Sequence, residues 1–175
     1  LYTEEGLGEH ALQLINTPEC LISEGIATIA ETMLFTPDDL VRFRRDVVYP
    51  VAGIQGDPER EVAIGAAQRV LRSVSGNAAL LLHEEGRDAE EVVAYLQRYG
   101  LSTEAEARQR LRFIADPLWR AYIFTYHVGY ELVSGWLDEA APAERRRRFR
   151  TLLTEQVSPS QIAAWTSRGR GPFPA

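Results

Sequence analysis

Apolar residues recur three and four positions apart through most of this chain, and most of these runs open on a cap signal. Thr36-Pro37-Asp38-Asp39, Asp57-Pro58-Glu59, Asp88-x-x-Glu91, Thr103-x-x-Glu106 and Ser158-x-x-Gln161 each set a side-chain acceptor before a first turn that carries an acid or an amide. Such residues satisfy the free amides of a helix start, and the acids oppose its dipole. The first run carries Leu40, Val41, Phe43, Val47 and Val48 to Pro50, which should kink or end it, and Gly53 to Gly56 reads as a break. From Pro58 the pattern continues to about Glu85 through Val62, Ile64, Val70, Leu71, Val74, Ala78 and Leu82. That predicts one helix of roughly 40 Å, with Gly65 and Gly76 marking close helix contacts or a bend. Asp88 opens a helix stopped by Gly100, Thr103 one through Leu111, Phe113 and Ile114, and Pro142 a basic one to Gln156. Leu1 to Ile15 also reads as helix, interrupted at Thr17-Pro18. No alternating run is long enough for a sheet. The chain is therefore expected to be all-α, a single-domain array of about eight or nine helices over residues 1–167 with a loose tail over 168–175.

Two helices carry the polar groups of most interest. In the helix after Pro18, a wheel places Leu21, Ile22, Ile26, Ile29, Ala30 and Met33 on one face and Glu24, Thr28 and Glu31 opposite. The bland account is an amphipathic helix with a solvated face. The stretch Asp116–Asp138 is expected to be a core helix starting at Pro117, since Leu118, Trp119, Tyr122, Ile123, Phe124, Tyr126, Val128, Tyr130, Leu132, Val133, Trp136 and Leu137 leave little of its circumference polar. Arg120, His127, Glu131, Ser134 and Asp138 fall within about 60° of one another on the wheel. This stripe either looks out through a thin window or faces a polar cleft, because unpartnered buried charges are costly. His127 and Glu131, one turn apart, are placed to hydrogen-bond, which would favour the charged imidazole.

Ser23-Glu24-Gly25-Ile26-Ala27 followed by Ile29-Ala30-Glu31 resembles the Glu-bearing helix of the helical zinc metallopeptidases of gluzincin type, such as the carboxypeptidase Taq group and related uncharacterised bacterial proteins. Ile123 to Glu131 resembles their Tyr-x-x-Gly helix. The resemblance implies that Glu24 is a metal ligand and that Tyr126 and His127 are catalytic donors to an oxyanion; Glu31 on the Glu24 stripe, and Glu131 and Arg120 on the His127 stripe, are the candidate supporting residues. It implies zinc as cofactor of the full-length protein and a peptide or small-molecule substrate. A His₂Glu site needs two imidazoles one helical turn apart. His10, His83 and His127 are scattered, so neither His-Glu-x-x-His nor His-x-x-x-His occurs. The missing pair would lie upstream of Leu1. With Leu1 first and Met33 the only methionine, the chain reads as the C-terminal portion of a longer protein, expected to be inactive and without zinc by itself.

Composition narrows the alternatives. Across 175 residues a net charge of −6 gives no general attraction to nucleic acid or anionic membrane, so neither is expected as a partner. All 19 basic residues are arginine, and the run Arg145 to Arg148 reads as a solvated face. Lone Cys20 cannot form an intrachain disulfide and suits a small buried hydrophobe. No apolar run approaches the length of a membrane span and no leader is visible, so the cytoplasm is the expected compartment. His10 reads as a surface residue beside Glu9, and His83 as a histidine at a helix C-terminus, where the dipole favours it. Two rivals to the hydrolase remain. One is a non-catalytic helical module that binds a partner, or itself, through exposed apolar surface. The other is a small-ligand-binding bundle with the His127 and Glu131 stripe in its pocket.

Overall fold

The computed structural model describes residues 2–11 and 14–166, with the side chains of Tyr2, Glu5, Glu9 and His10 outside that description. The expectations of a surface-facing His10 and of a loose tail over 168–175 thus fall outside the described residues. All the regular structure among those residues is helical and none of it is strand, as the spacing predicts. None of their helices is long and apolar enough to cross a membrane.

The expected helix over Leu1 to Ile15 is broken instead. A single turn, α1 (Tyr2–Glu5), stops at Gly6, whose φ of 70° is one that glycine adopts without strain, and a tight turn follows over Gly8–Ala11. The helix α2 (Pro18–Leu34) starts at Pro18 as expected. Thr36 then caps α3 (Pro37–Phe43) through a reciprocal box with Asp39. Pro50 neither kinks nor ends this segment at once. The backbone widens to a π-turn over Arg44–Val48, in which the Tyr49 amide bonds Arg44 O, and runs on as α4 (Tyr49–Ala52) until Gly53 turns left-handed at φ 66°. A helix can thereby absorb a residue that has no amide hydrogen to give.

The long helix expected from Pro58 to Glu85 is two helices. After α5 (Pro58–Ala67), a 3₁₀ turn over Gln68–Leu71 redirects the chain into α6 (Val74–His83). The halves serve different neighbours: α5 packs on α3, whereas α6 packs on the three helices that follow, α7 (Ala89–Gly100), α8 (Glu104–Ala115) and α9 (Ile123–Asp138). Val70, at the turn, is 80% exposed, so its place in the apolar period reflects no buried face. Of the two flagged glycines, Gly76 is a close contact and Gly65 has open space around it. Asp88 and Thr103 cap α7 and α8 as expected, although α7 includes Gly100 and the left-handed residue after it is Leu101.

The last core helix begins six residues later than expected, at Ile123 instead of Pro117. Asp116 to Tyr122 is a series of tight turns, opened by the Asp116 carboxylate accepting the Leu118 amide at 2.8 Å, and Leu118 is largely exposed. The chain closes with α10 (Pro142–Thr154) and α11 (Pro159–Trp165), the latter capped by Ser158 and Gln161.

Buried residues form two cores that share α9. One gathers Val74, Ala78, Val92, Leu96, Ala107 and Ile114 with Ile123 from the start of α9. The other gathers Ile22 and Ile29 of α2, Leu152 and Ile162, with Leu132, Val133, Trp136 and Leu137 from its end. The most extensive helix contact is that of α2 with α9, so the two helices that bear the informative strings do pack together.

Candidate functional site

The α2–α9 contact depends on two residues without side chains. A Cβ on Gly25 would stand 2.5 Å from Gly129 O, and one on Gly129 would overlap Leu21 O and stand 3.1 Å from Gly25 N. The two backbones touch there, a distance at which only glycine fits on both sides. The helices run in the same direction. Asn16, just before α2, donates to Leu118 O at 2.7 Å, and at the far end Arg145 bridges Thr32 of α2 and Asp138 of α9 at 3.3 Å each.

This crossing brings Glu24 to the tyrosines at the head of α9. The Tyr122 hydroxyl donates to Glu24 Oε1 at 2.5 Å, and the Tyr126 ring lies edge-on to that of Tyr122 at 5.6 Å. Tyr122 is the last member of an aromatic row, with Trp119 edge-on at 5.6 Å and Phe113 stacked on Trp119 at 5.7 Å. The row and the Asn16–Leu118 bond fix the turns before α9, and so fix where Tyr122 points. Glu24 and Thr28 are half-buried, while Ser23 and Ala27 face solvent. The wheel therefore assigns the wrong side to the solvent: Gly25 carries the helix's closest contact and contributes nothing to a hydrophobic pattern.

Both phenols are held in the protonated, donating form. The hydrogen bond to Glu24, then burial, push Tyr122 well above the ordinary tyrosine range. Burial first and the Glu24 charge second raise Tyr126, with the Tyr122 hydroxyl partly offsetting them. Tyr126 is 41% exposed and so accessible to a bound molecule. Tyr122 itself, the one direct partner of the Glu24 carboxylate among the described residues, is not among those that the resemblance singles out. The recurrence of tyrosine at 122, 126 and 130 is the signal that would have found it.

His127 is not brought to Glu24. Its ring packs over Gly76 on α6, where a Cβ would come within 2.5 Å of Cε1, and beside Phe124 at 5.9 Å. The expected bond to Glu131 is absent, since buried Nδ1 has no partner, and burial outweighs the Glu131 charge to lower the imidazole pKa. The charged form is thus disfavoured, opposite to the expectation from spacing. The sign for stability follows. As pH falls below the ordinary value of 6.5 the unfolded chain takes up a proton before the folded one does, so stability is full above 6.5 and drains towards the depressed folded pKa. The melting temperature of wild type should fall between about pH 7 and 5, and His127→Gln should fall less over that window. Parallel melting curves for the two would remove His127 as the cause.

The other members of the proposed stripe also disperse. Arg120 is exposed in the turns before α9, Glu131 is exposed, Ser134 is buried, and Asp138 pairs with Arg145. Glu31, two turns beyond Glu24, stands 3.8 Å from Arg44. His83 ends α6 with Nε2 at 2.7 Å from Ile114 O, which ties that end to α8. Cys20 is half-buried, its thiol directed to Leu14 O at 3.2 Å.

Among the described residues no group of three or more His, Cys, Asp or Glu is gathered as a metal-binding set. Glu24 offers one carboxylate with a tyrosine behind it and no described imidazole beside it. By themselves these residues do not fit zinc, which takes four ligands and in hydrolases keeps three from protein. Comparison with family models, with curated proteins and with solved structures finds no match to this chain.

Proposed function

We propose that this chain is the C-terminal helical portion of a zinc-dependent, peptidase-like hydrolase of the cytoplasm, in which Glu24 is one metal ligand and two histidines come from sequence before Leu1. The observation that carries this reading is the half-buried Glu24 carboxylate, held by Tyr122 at 2.5 Å beside Tyr126, where the two informative helices cross. In this reading Tyr122 fixes one carboxylate oxygen and orients the other, as groups behind a ligand commonly do. Tyr126, kept protonated by burial and by the Glu24 charge, donates to an oxygen that gains charge on a peptide or small amide substrate. His127 has no part in it. The isolated chain supplies one carboxylate and is expected to be inactive.

The test is zinc content of the longer protein, wild type against Glu24→Gln, after dialysis. Loss of most of the bound zinc is expected, since three protein ligands fall to two; equal zinc in both forms rejects the ligand role. The sequence before Leu1 is a cheaper check, because the reading requires a His-x-x-x-His there.

A second reading, a helical interaction module, is supported by a different observation. Phe43, Val47 and Val51, one turn apart from the end of α3 through the π-turn into α4, are 40%, 45% and 85% exposed, an apolar strip of the kind that partners cover. Absence of the histidine pair from the preceding sequence would leave this reading in possession.

A further inference from the structure

The redirecting turn between α5 and α6 has a second consequence. In a 3₁₀ turn residues three apart eclipse one another, and Gln68–Leu71 carries Arg69 with Arg72 directly after it. Both line a cleft of about 960 Å³ between α2, α3, α5 and the later turns of α9. Arg72 stands over the Tyr130 ring, its guanidinium carbon 4.1 Å from the centroid. That contact is attractive and restrains the arginine side chain over the ring. Half-buried Arg72 nevertheless has no carboxylate, and its Nη1 is shut away from solvent without an acceptor. A guanidinium withdrawn from water without a counter-ion is an unfavourable arrangement.

The acids of the cleft do not supply one. Arg44 stands between Glu61 at 3.1 Å and Glu31 at 3.8 Å, Arg45 takes Glu59, and Arg145 takes Asp138 at 3.3 Å. Asp38 lines the cleft as well. Arg69 and Arg72 enter no ion pair among the described residues. Most of the cleft's carboxylates thus already lie on arginines, while Arg69 and Arg72, joined across the turn by the Arg72 amide on Arg69 O at 3.3 Å, keep their guanidinium groups free of ion pairs among the described residues, Arg72 over the Tyr130 ring.

We infer that this cleft binds a small organic anion, with Arg69 and Arg72 closing as a pincer on its carboxylate or phosphate group. The inference stands on residues other than those of the proposed metal site and does not depend on that reading. The aromatic ring beneath Arg72 already restrains it, so little side-chain freedom is lost on binding.

Isothermal titration of the 175-residue chain with inorganic phosphate, and separately with succinate, tests it. Binding of at least one anion is expected in the region of about 1 mM, weakened about tenfold or more in Arg72→Gln and in Arg69→Gln. Arg98→Gln should bind as wild type, since Arg98 also stands over a tyrosine, Tyr99 at 5.3 Å, but does not line the cleft. Phosphate binding without succinate binding assigns a tetrahedral group, and the reverse assigns a carboxylate. No heat from either at about ten times that concentration, or equal affinity in Arg69→Gln and Arg98→Gln, overturns the inference. Arg69 is exposed, so its variant decides the matter even if Arg72→Gln loses its fold.

Discussion

Gly129→Ala is expected to cost at least about 4 kcal/mol and to lower the melting temperature by roughly 10 °C or more. One methyl group causes this because of what it meets. Its carbon would overlap the carbonyl oxygen of Leu21 and crowd Gly25 N at 3.1 Å. Neither is the movable end of a side chain, so relief requires the two helices to separate. Separation in turn opens the packing of Ile22, Ile29, Val133 and Trp136 beside the crossing. Gly25→Ala meets Gly129 O at 2.5 Å and should behave alike, and the double variant should cost less than the sum, because one separation relieves both clashes. Gly135→Ala, on the same helix with nothing within 4 Å of the added carbon, is the control, expected to be stabilising by up to about 1 kcal/mol through helix propensity. Thermal melts followed by circular dichroism check all four. A Gly129→Ala protein that melts with wild type would mean that the backbones do not touch.

The glycine crossing also explains which parts of this fold were legible in the sequence. Helix starts were, because a cap is a local bargain between one side chain and the amides beside it: Thr36, Asp57, Asp88, Thr103 and Ser158 each accept the amide three residues on. Where a helix ends inside an apolar run was not. Nothing within Pro58 to Glu85 marks Gln68–Leu71 as a turn, since the break is set by distant neighbours, α3 on one side and α7, α8 and α9 on the other. Likewise Asp116-Pro117 opens turns rather than a helix because Asn16, about a hundred residues away, holds Leu118 O. The wheel failed for α2 in a more instructive way. It weighs side chains, so it could not see that the helix approaches its neighbour through Gly25 and carries Glu24 inward with it.

The candidate site was legible to the extent that its strings were. Glu24 and Tyr126 are brought near one another through Tyr122, whereas His127, one residue on, is turned about 100° round the helix and lands on α6 instead. Gly76 is the reason that it fits, and the sequence offered Gly76 only as an unassigned close contact. Tyr122 escaped notice because its partner is chosen by the crossing, not by any neighbour in sequence.

Leu137→Ala is expected to destabilise by about 3 kcal/mol, roughly 6–12 °C for a chain of this size. Leu137 is 0% exposed and sits with Leu152 and Ile162 in the core built on α2, so its loss leaves a cavity that α9, held at Gly129, cannot move to fill. Leu96→Ala, also at 0% exposure but in the core of α6, α7 and α8, should cost a similar amount. The two substitutions together say more than either alone. The cores share no residue, yet Ile123 at one end of α9 is buried in the first and Leu137 at the other end in the second. A helix committed to both cannot leave one without exposing apolar surface in the other, so each variant should shift one common transition, with circular dichroism and tryptophan fluorescence coincident. In a Trp119→Phe background the remaining fluorescence comes from Trp136 and Trp165, whose rings lie 5.1 Å apart at the second core. If in that background Leu96→Ala advanced the loss of helix while the fluorescence of the Trp136–Trp165 pair held its midpoint, α9 would be a hinge between two independent units instead of the rod that joins them.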